Sequence, residues 1–244
     1  APTMRRMTPP TADVPPPAST AGPSFARLPL APHVLANLER LGYTAMTPIQ
    51  AASLPLALAG RDLIAQARTG SGKTVAFALA LLARLNPRHF GVQALVLCPT
   101  RELADQVAQE VRRLARAEDN IKLVTLCGGV PLRGQTASLA HGAHVVVGTP
   151  GRVLDHLGRE SLSLAALNTL VLDEADRMLE MGFAEDIAAI AQHAPPPGRR
   201  QTLLFSATYP EGVAQLAARY LREPAEVRLA ERAPAGLVHE RRYE

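Results

Sequence analysis

The sequence predicts an α/β fold, a mostly parallel β-sheet with helices on both faces. Three observations predict it. Short apolar runs at 63–65, 94–97, 123–126, 145–147, 170–172 and 203–205 alternate with helical stretches at 74–85, 101–116, 132–139, 151–157, 183–193 and 211–221. The runs are continuously apolar, as in Leu170-Val171-Leu172, which suits strands covered on both faces. Each run is followed by glycine, proline, hydroxyl or charged residues. In a parallel sheet these strand ends share one edge, where ligands of open α/β folds bind.

The 244 residues suit one large α/β domain. Hydrophobic residues make up 47% and aromatics only 4%, with no Trp, so the core is aliphatic. A net charge of +4 is compatible with an acidic polymer as partner. The only cysteines, Cys98 and Cys127, end apolar runs and have no neighbouring histidines. They predict buried free thiols in a reducing cytoplasm rather than a disulfide or zinc framework. No run reaches the roughly 18 apolar residues of a membrane span, and the N-terminus has no apolar signal core. The expectation is a cytoplasmic protein without a membrane partner.

In chain order, residues 1–24 read as a disordered tail, with Pro2, Pro9, Pro10, Pro15, Pro16, Pro17 and Pro23 among Thr, Ala and Ser. Order begins at Phe25. Val34, Leu35, Leu38 and Leu41 have helical spacing and stop at Gly42, and Pro48 opens a second helix that stops at Gly60. The run at 63–65 leads into Ala67-Arg68-Thr69-Gly70-Ser71-Gly72-Lys73-Thr74 and then an alanine-rich helix. Strand, glycine loop and helix together make a phosphate cradle of inward N–H groups and a positive helix end. Lys73 suits terminal phosphates and the Thr74 hydroxyl suits Mg²⁺; Ala67 stands where the strict P-loop pattern has Gly.

The later strand ends carry complementary chemistry. Asp173-Glu174 supplies one carboxylate for Mg²⁺ and one to polarise an attacking water; taken alone, such acids are also ordinary helix N-caps. Pro99-Thr100-Arg101, Gly128-Gly129 and Thr149-Pro150-Gly151-Arg152 combine close backbone approach with hydroxyl and guanidinium donors, which suits phosphate oxygens. The alternative at each is a capping threonine and a solvated arginine. Aromatics are too few for a base-stacking platform, so sequence-independent contact with a backbone is the better reading.

These segments, in this order, resemble the N-terminal RecA-like domain of a DEAD-box RNA helicase. The matching residues are Gly42-Tyr43-Thr44-Ala45-Met46-Thr47-Pro48-Ile49-Gln50, the loop from Ala67 to Thr74, Pro99-Thr100-Arg101-Glu102-Leu103-Ala104, Gly128-Gly129, Thr149-Pro150-Gly151-Arg152, Asp173-Glu174-Ala175-Asp176 and Ser206-Ala207-Thr208. Ala67 is also what the family shows. The alanine- and arginine-rich wording is most like bacterial members, including the heat-resistant type. The resemblance implies a RecA-like P-loop NTPase domain over 25–230 that binds and hydrolyses ATP with Mg²⁺ to remodel RNA. It implies that Gln50 reads the adenine edge, Tyr43 stacks on the ring, Phe25 covers the base and Thr47 supports that pocket. Arg68, Thr69, Gly70, Ser71, Gly72, Lys73 and Thr74 hold the nucleotide; Lys73, Asp173 and Glu174 are catalytic, and Thr74 and Asp173 serve the metal. Pro99, Thr100, Arg101, Gly128, Gly129, Thr149, Gly151 and Arg152 hold the RNA backbone. Asp176, Ser206 and Thr208 couple nucleotide state to strand separation. Met46 departs from the family's usual Pro, which is expected to alter only the local turn.

The family's second RecA-like domain has no counterpart here, so the chain reads as an N-terminal half. Residues 222–244 read as a polar exit segment, of which 231–244 is the linker towards the absent C-terminal RecA-like domain. Such a half is expected to bind nucleotide and to be nearly inactive alone. The alternatives are a non-catalytic nucleotide- or RNA-binding module and a different P-loop motor such as a DNA translocase. Asp176, Gln50 and Phe25 argue against the latter.

Overall fold

Strands that are apolar on every residue must be covered twice, and the architecture of the chain meets that demand. A computed structural model describes residues 22–229; residues 1–21 of the proline-rich tail and the 231–244 linker lie outside the described residues. A 3-10 turn at Phe25–Arg27 and helices α1 (Pro32–Arg40) and α2 (Pro48–Leu58) lead into β1 (Leu63–Gln66) and α3 (Lys73–Leu82). Then follow β2 (Ala94–Leu97), α4 (Arg101–Ala115), β3 (Leu123–Leu126), α5 (Leu132–Ala140), β4 (Val145–Gly148), α6 (Pro150–Gly158) and β5 (Thr169–Leu172). The described chain closes with α7 (Ala175–Glu180), α8 (Ala184–Gln192), β6 (Gln201–Ser206), α9 (Glu211–Tyr220) and β7 (Ala225–Arg228).

The seven strands form one sheet in the order β3-β4-β2-β5-β6-β1-β7, and every pairing is parallel. Alternate strand residues feed opposite cores. Leu63, Ala65, Val96, Val171, Leu203 and Phe205 meet Ile49, Leu54, Phe77 and Val111. Ile64, Leu95, Leu97, Leu170, Leu172 and Leu204 meet Val153, Ile187, Ile190 and Val213 on the other face. Phe77 and Phe205 add an edge-to-face contact at 5.4 Å to a mostly aliphatic core.

Two elements differ from the sequence expectation. β7 lies inside the segment read as a polar exit. Only Val227 of Ala-Glu-Val-Arg is buried, because an outermost strand leaves its other side chains in solvent and shows no apolar run. Its place is set by pairing with β1 and by the buried Asp62. The Asp62 carboxylate accepts from Thr202 N (2.9 Å) and Arg222 N (2.7 Å), and its carbonyl from Ala225 N (2.9 Å). α7, the other difference, is a short helix whose sequence, Ala-Asp-Arg-Met-Leu-Glu, gives little periodicity to read.

The strand ends converge. Gln66 of β1 is in register with Ser206 of β6, and Leu97 of β2 with both Leu172 of β5 and Gly148 of β4. The ladder continues past the strands through Ala67 N to Ser206 O (2.9 Å), Asp173 N to Leu97 O (3.0 Å) and Cys98 N to Gly148 O (2.9 Å). The polar clusters are thereby fixed to one edge of the sheet.

Candidate functional site

The glycine loop takes its shape from two left-handed residues, Gly70 (φ 80°) and Gly72 (φ 91°), the second of which is the N-cap of α3. Left-handed backbone costs little without a Cβ, and it turns successive N–H groups inward. Lys73, the first residue of α3, is buried, and its Nζ lies 3.0 Å from Asp173 Oδ1 and 3.5 Å from Glu174 Oε1. Glu174 also accepts from Thr69 Oγ1 at 3.1 Å, and its Oε2 is 3.6 Å from Arg177 Nη1. Glu174 itself is left-handed (φ 52°), a strained backbone for a residue with a side chain, and it aims the carboxylate back at the loop.

Asp173 is fully buried, and beyond the lysine ion pair neither of its oxygens accepts a well-aligned hydrogen bond; Ser71 Oγ is likewise buried without a partner. Burial pushes the Asp173 carboxyl above its usual value against the pull of Lys73. Unsatisfied buried oxygens next to an ammonium and a helix N-terminus suit a ligand that brings its own donors and charge. The set fits Mg²⁺ as well. Among the described residues no group of three or more His, Cys, Asp or Glu forms a metal cage, and Mg²⁺ commonly binds through one or two carboxylates, water and substrate phosphates. A cavity of about 530 Å³ at this edge is lined by Thr69, Thr100, Glu174, Asp176, Arg177 and Ala207, from the ends of four strands.

Beside the loop, Thr47 and Gln50 form a capping box at the start of α2: Gln50 Oε1 accepts from Thr47 N at 2.9 Å and Thr47 Oγ1 from Gln50 N at 3.4 Å. The Gln50 amide then donates to Gly72 O at 3.1 Å. Gln50 is therefore a buried joint between α2 and the phosphate loop. Phe25 is buried and meets Tyr43 edge-on at 6.5 Å, and the Tyr43 hydroxyl donates to Glu110 of α4. Burial and Glu110 together raise the Tyr43 phenol to about 12. Met46 does more than alter a turn: its N–H donates to Pro23 O at 2.7 Å, a bond that proline could not make.

Asp176, Ser206 and Thr208 come together. Asp176 Oδ2 accepts from Thr208 N (3.0 Å) and Thr208 Oγ1 (2.8 Å), and Asp176 N donates to Ser206 Oγ (3.1 Å). Burial works against this carboxylate, but the bonds from Thr208, Arg177 and Ser206 prevail and hold it below the usual range. The arginine clusters also meet. Thr100 caps α4 through Leu103 N (3.3 Å), and Arg101 lies against Gly129, where a Cβ would come 2.8 Å from its Nη1. Pro99 is buried, whereas Gly128, Gly129 and Arg101 are exposed. Thr149 heads α6 with its N–H on Leu126 O (3.1 Å), and a Cβ on Gly151 would meet only Asp186, at 3.9 Å. Arg152 is less free than its sequence position implied: Nη1 donates to Val130 O (2.9 Å) and Gln135 Oε1 (3.0 Å). Glu110, Gln135 and Arg177 escaped sequence reasoning, because polar residues on amphipathic helices carry no mark of what they face. Both cysteines are buried and free; burial holds the Cys98 thiol well above its usual value and raises Cys127 to about 11, so neither is a nucleophile.

Residues 47–216 match the DEAD/DEAH box helicase family model. The ATP-dependent RNA helicase DbpA of Escherichia coli is 57% identical over 82% of this chain and 43% of that protein. The DEAD-box ATP-dependent RNA helicase CshA of Geobacillus kaustophilus is 45% identical over 84% of this chain and 44% of that protein. The crystal structure of a DEAD box protein from the hyperthermophile Methanococcus jannaschii superimposes with a TM-score of 0.79 at 40% identity, over 84% of this chain and 55% of that one. The chain thus spans under half the length of these two curated relatives.

Proposed function

The chain belongs to the DEAD/DEAH box helicase family and has its RecA-like α/β fold, and from that premise we propose that it is the N-terminal half of an ATP-dependent RNA helicase. The single observation that carries the reading is the buried Lys73–Asp173–Glu174 cluster at the mouth of the glycine loop, where Asp173 Oδ2 and Ser71 Oγ are buried without a partner. Loop N–H groups and Lys73 hold the β- and γ-phosphates of substrate ATP. Thr74 and Asp173 would hold Mg²⁺, which would supply charge neutralisation on the phosphate oxygens. Glu174 orients and polarises the attacking water, held in aim by Thr69 and Arg177. Gln50, Thr47, Tyr43 and Phe25 form the adenine side. Asp176, Ser206 and Thr208 carry the nucleotide state towards the RNA surface of Pro99, Thr100, Arg101, Gly128, Gly129, Thr149, Gly151 and Arg152. Buried free thiols fit a cytoplasmic setting.

A second RecA-like domain completes the site in this reading. Charge stabilisation by an arginine from across the cleft is worth about 10³–10⁵ in rate, so the chain alone binds adenine nucleotide and turns it over barely above background. The test is RNA-stimulated ATPase of the chain with and without a separately prepared second domain. Restored turnover on mixing is expected. Full turnover by the chain alone overturns the half-site reading, and absence of Mg²⁺-dependent nucleotide binding overturns the whole.

A further inference from the structure

Gln135 lies on α5, outside every motif named above, yet its buried side chain ties three segments together. Its Nε2 donates to Cys127 O (2.9 Å), at the base of the Gly128-Gly129 loop. Its Oε1 accepts from Arg152 Nη1 (3.0 Å) and pairs with His156 Nε2 (2.9 Å), both on α6. His156 is fully buried, and its Nδ1 pairs with Ser161 Oγ at 2.7 Å. The second bond from Arg152 Nη1 runs to Val130 O, on the far side of the same glycine loop. The loop after β3 and the helix after β4 are therefore held in register by one amide. The chemistry needs an amide: one donor for a carbonyl and one oxygen accepting from two donors, which among neutral side chains of this length only glutamine provides.

We propose that Gln135 is a positioning residue that locks Arg152 to the Gly128–Val130 loop, so that the two grip neighbouring phosphates of one RNA strand. Nη1 of Arg152 is engaged by Gln135 and Val130 and its Nε lies 3.7 Å from Asp155 Oδ2, so the guanidinium plane is held, with 14% of the side chain exposed. Without Gln135 the arginine keeps only Val130 O and Asp155, and the glycine loop loses its inner tie to Cys127 O. The inference rests on the RNA-binding reading above.

The test uses the whole chain, a fluorescent single-stranded RNA oligonucleotide in a salt series, and ADP as a separate probe. Gln135→Met, isosteric and uncharged, is expected to weaken RNA binding about tenfold, the loss of one charge-assisted contact. The slope of log affinity against log salt becomes shallower by about 0.7, one phosphate contact on a single strand. ADP affinity stays within about twofold, since the residue touches no part of the phosphate loop. On an Arg152→Met background the same substitution adds little, because Gln135 acts through the arginine. Wild-type RNA affinity and slope in Gln135→Met, equal loss of ADP and RNA, or additivity with Arg152→Met overturns the inference. If Gln135→Met does not fold, Gln135→Asn keeps the amide but shortens its reach, and the same outcomes decide. RNA binding absent from the wild-type chain overturns the functional reading and this inference together, whereas the other adverse results leave that reading standing.

Discussion

Lys73 Nζ stands 3.0 Å from Asp173 Oδ1, with 5% of the lysine side chain and none of the aspartate side chain exposed. Each charge is tolerated in the interior because of the other. The pairing holds the end of β5 against the glycine loop; under the function proposed above, phosphates and a cation would replace the partner each gives up.

Breaking that pair from one side leaves an unpaired buried carboxylate. Lys73→Ala is expected to cost about 3–5 kcal/mol of stability at neutral pH, and Lys73→Ala with Asp173→Asn markedly less. Urea unfolding of both singles and the double checks this; additive losses would show that the two residues are uncoupled. The sign with pH follows from Asp173, whose carboxyl burial already raises. Protonation removes the buried charge, so the Lys73→Ala deficit is largest at neutral pH and shrinks as pH falls towards the ordinary carboxylate range.

The joint between α2 and the phosphate loop separates two glycines that look alike in sequence. A Cβ on Gly72 would sit 2.6 Å from Gln50 Nε2 and 2.9 Å from Thr47 Oγ1, whereas one on Gly70 meets nothing within 4 Å. Both residues are left-handed, so Gly70→Ala pays backbone strain of about 1–2 kcal/mol. Gly72→Ala adds a clash that pushes the capping box off the loop, and should lose more stability and more nucleotide affinity. Gln50→Glu tests the joint from the other end: it places a carboxylate against Gly72 O. The family resemblance implies that Gln50→Ala erodes adenine preference more than phosphate affinity. The hydrogen bond to Gly72 O predicts that Gln50→Glu weakens ADP and GDP alike, checked by titrating both; a loss confined to ADP would refute the joint.

Tyr43 offers a direct titration. Burial and the Glu110 carboxylate hold its phenol at about 12 against an ordinary 10.0. The stability this contributes is complete below about pH 10 and is lost as pH rises towards 12. Tyr209 is also raised by burial, so ultraviolet titration of tyrosinate should show late ionisation of which the step near 12 vanishes in Tyr43→Phe and moves earlier in Glu110→Gln. A Tyr43 midpoint near 10 would mean the contact with Glu110 is not formed in solution.

The six strands read from the sequence were legible because each carries a run of apolar residues; five of these runs are buried on both faces, and the edge strand β3, half-buried at its first three residues, still reads as apolar around Thr125. The glycine loop and the Asp173-Glu174 pair were legible because their chemistry is local, set by neighbours a few residues away. Gln135, Glu110 and Asp62 were not. A buried polar side chain is defined by its partner, and theirs come from 8, 67 and up to 160 residues away in the chain. β7 was hidden for the opposite reason: an outer strand with one buried residue has the pattern of a linker until a neighbour pairs with it. By itself, then, the sequence determined the fold class, the phosphate loop and which residue types gather at the sheet edge, since hydrophobic periodicity and turn chemistry act over short range. Only the tertiary structure decided the strand order, the left-handed setting of Glu174 and the hydrogen bonds that aim Lys73, Gln50 and Arg152, because long-range packing selects which donor each buried acceptor meets.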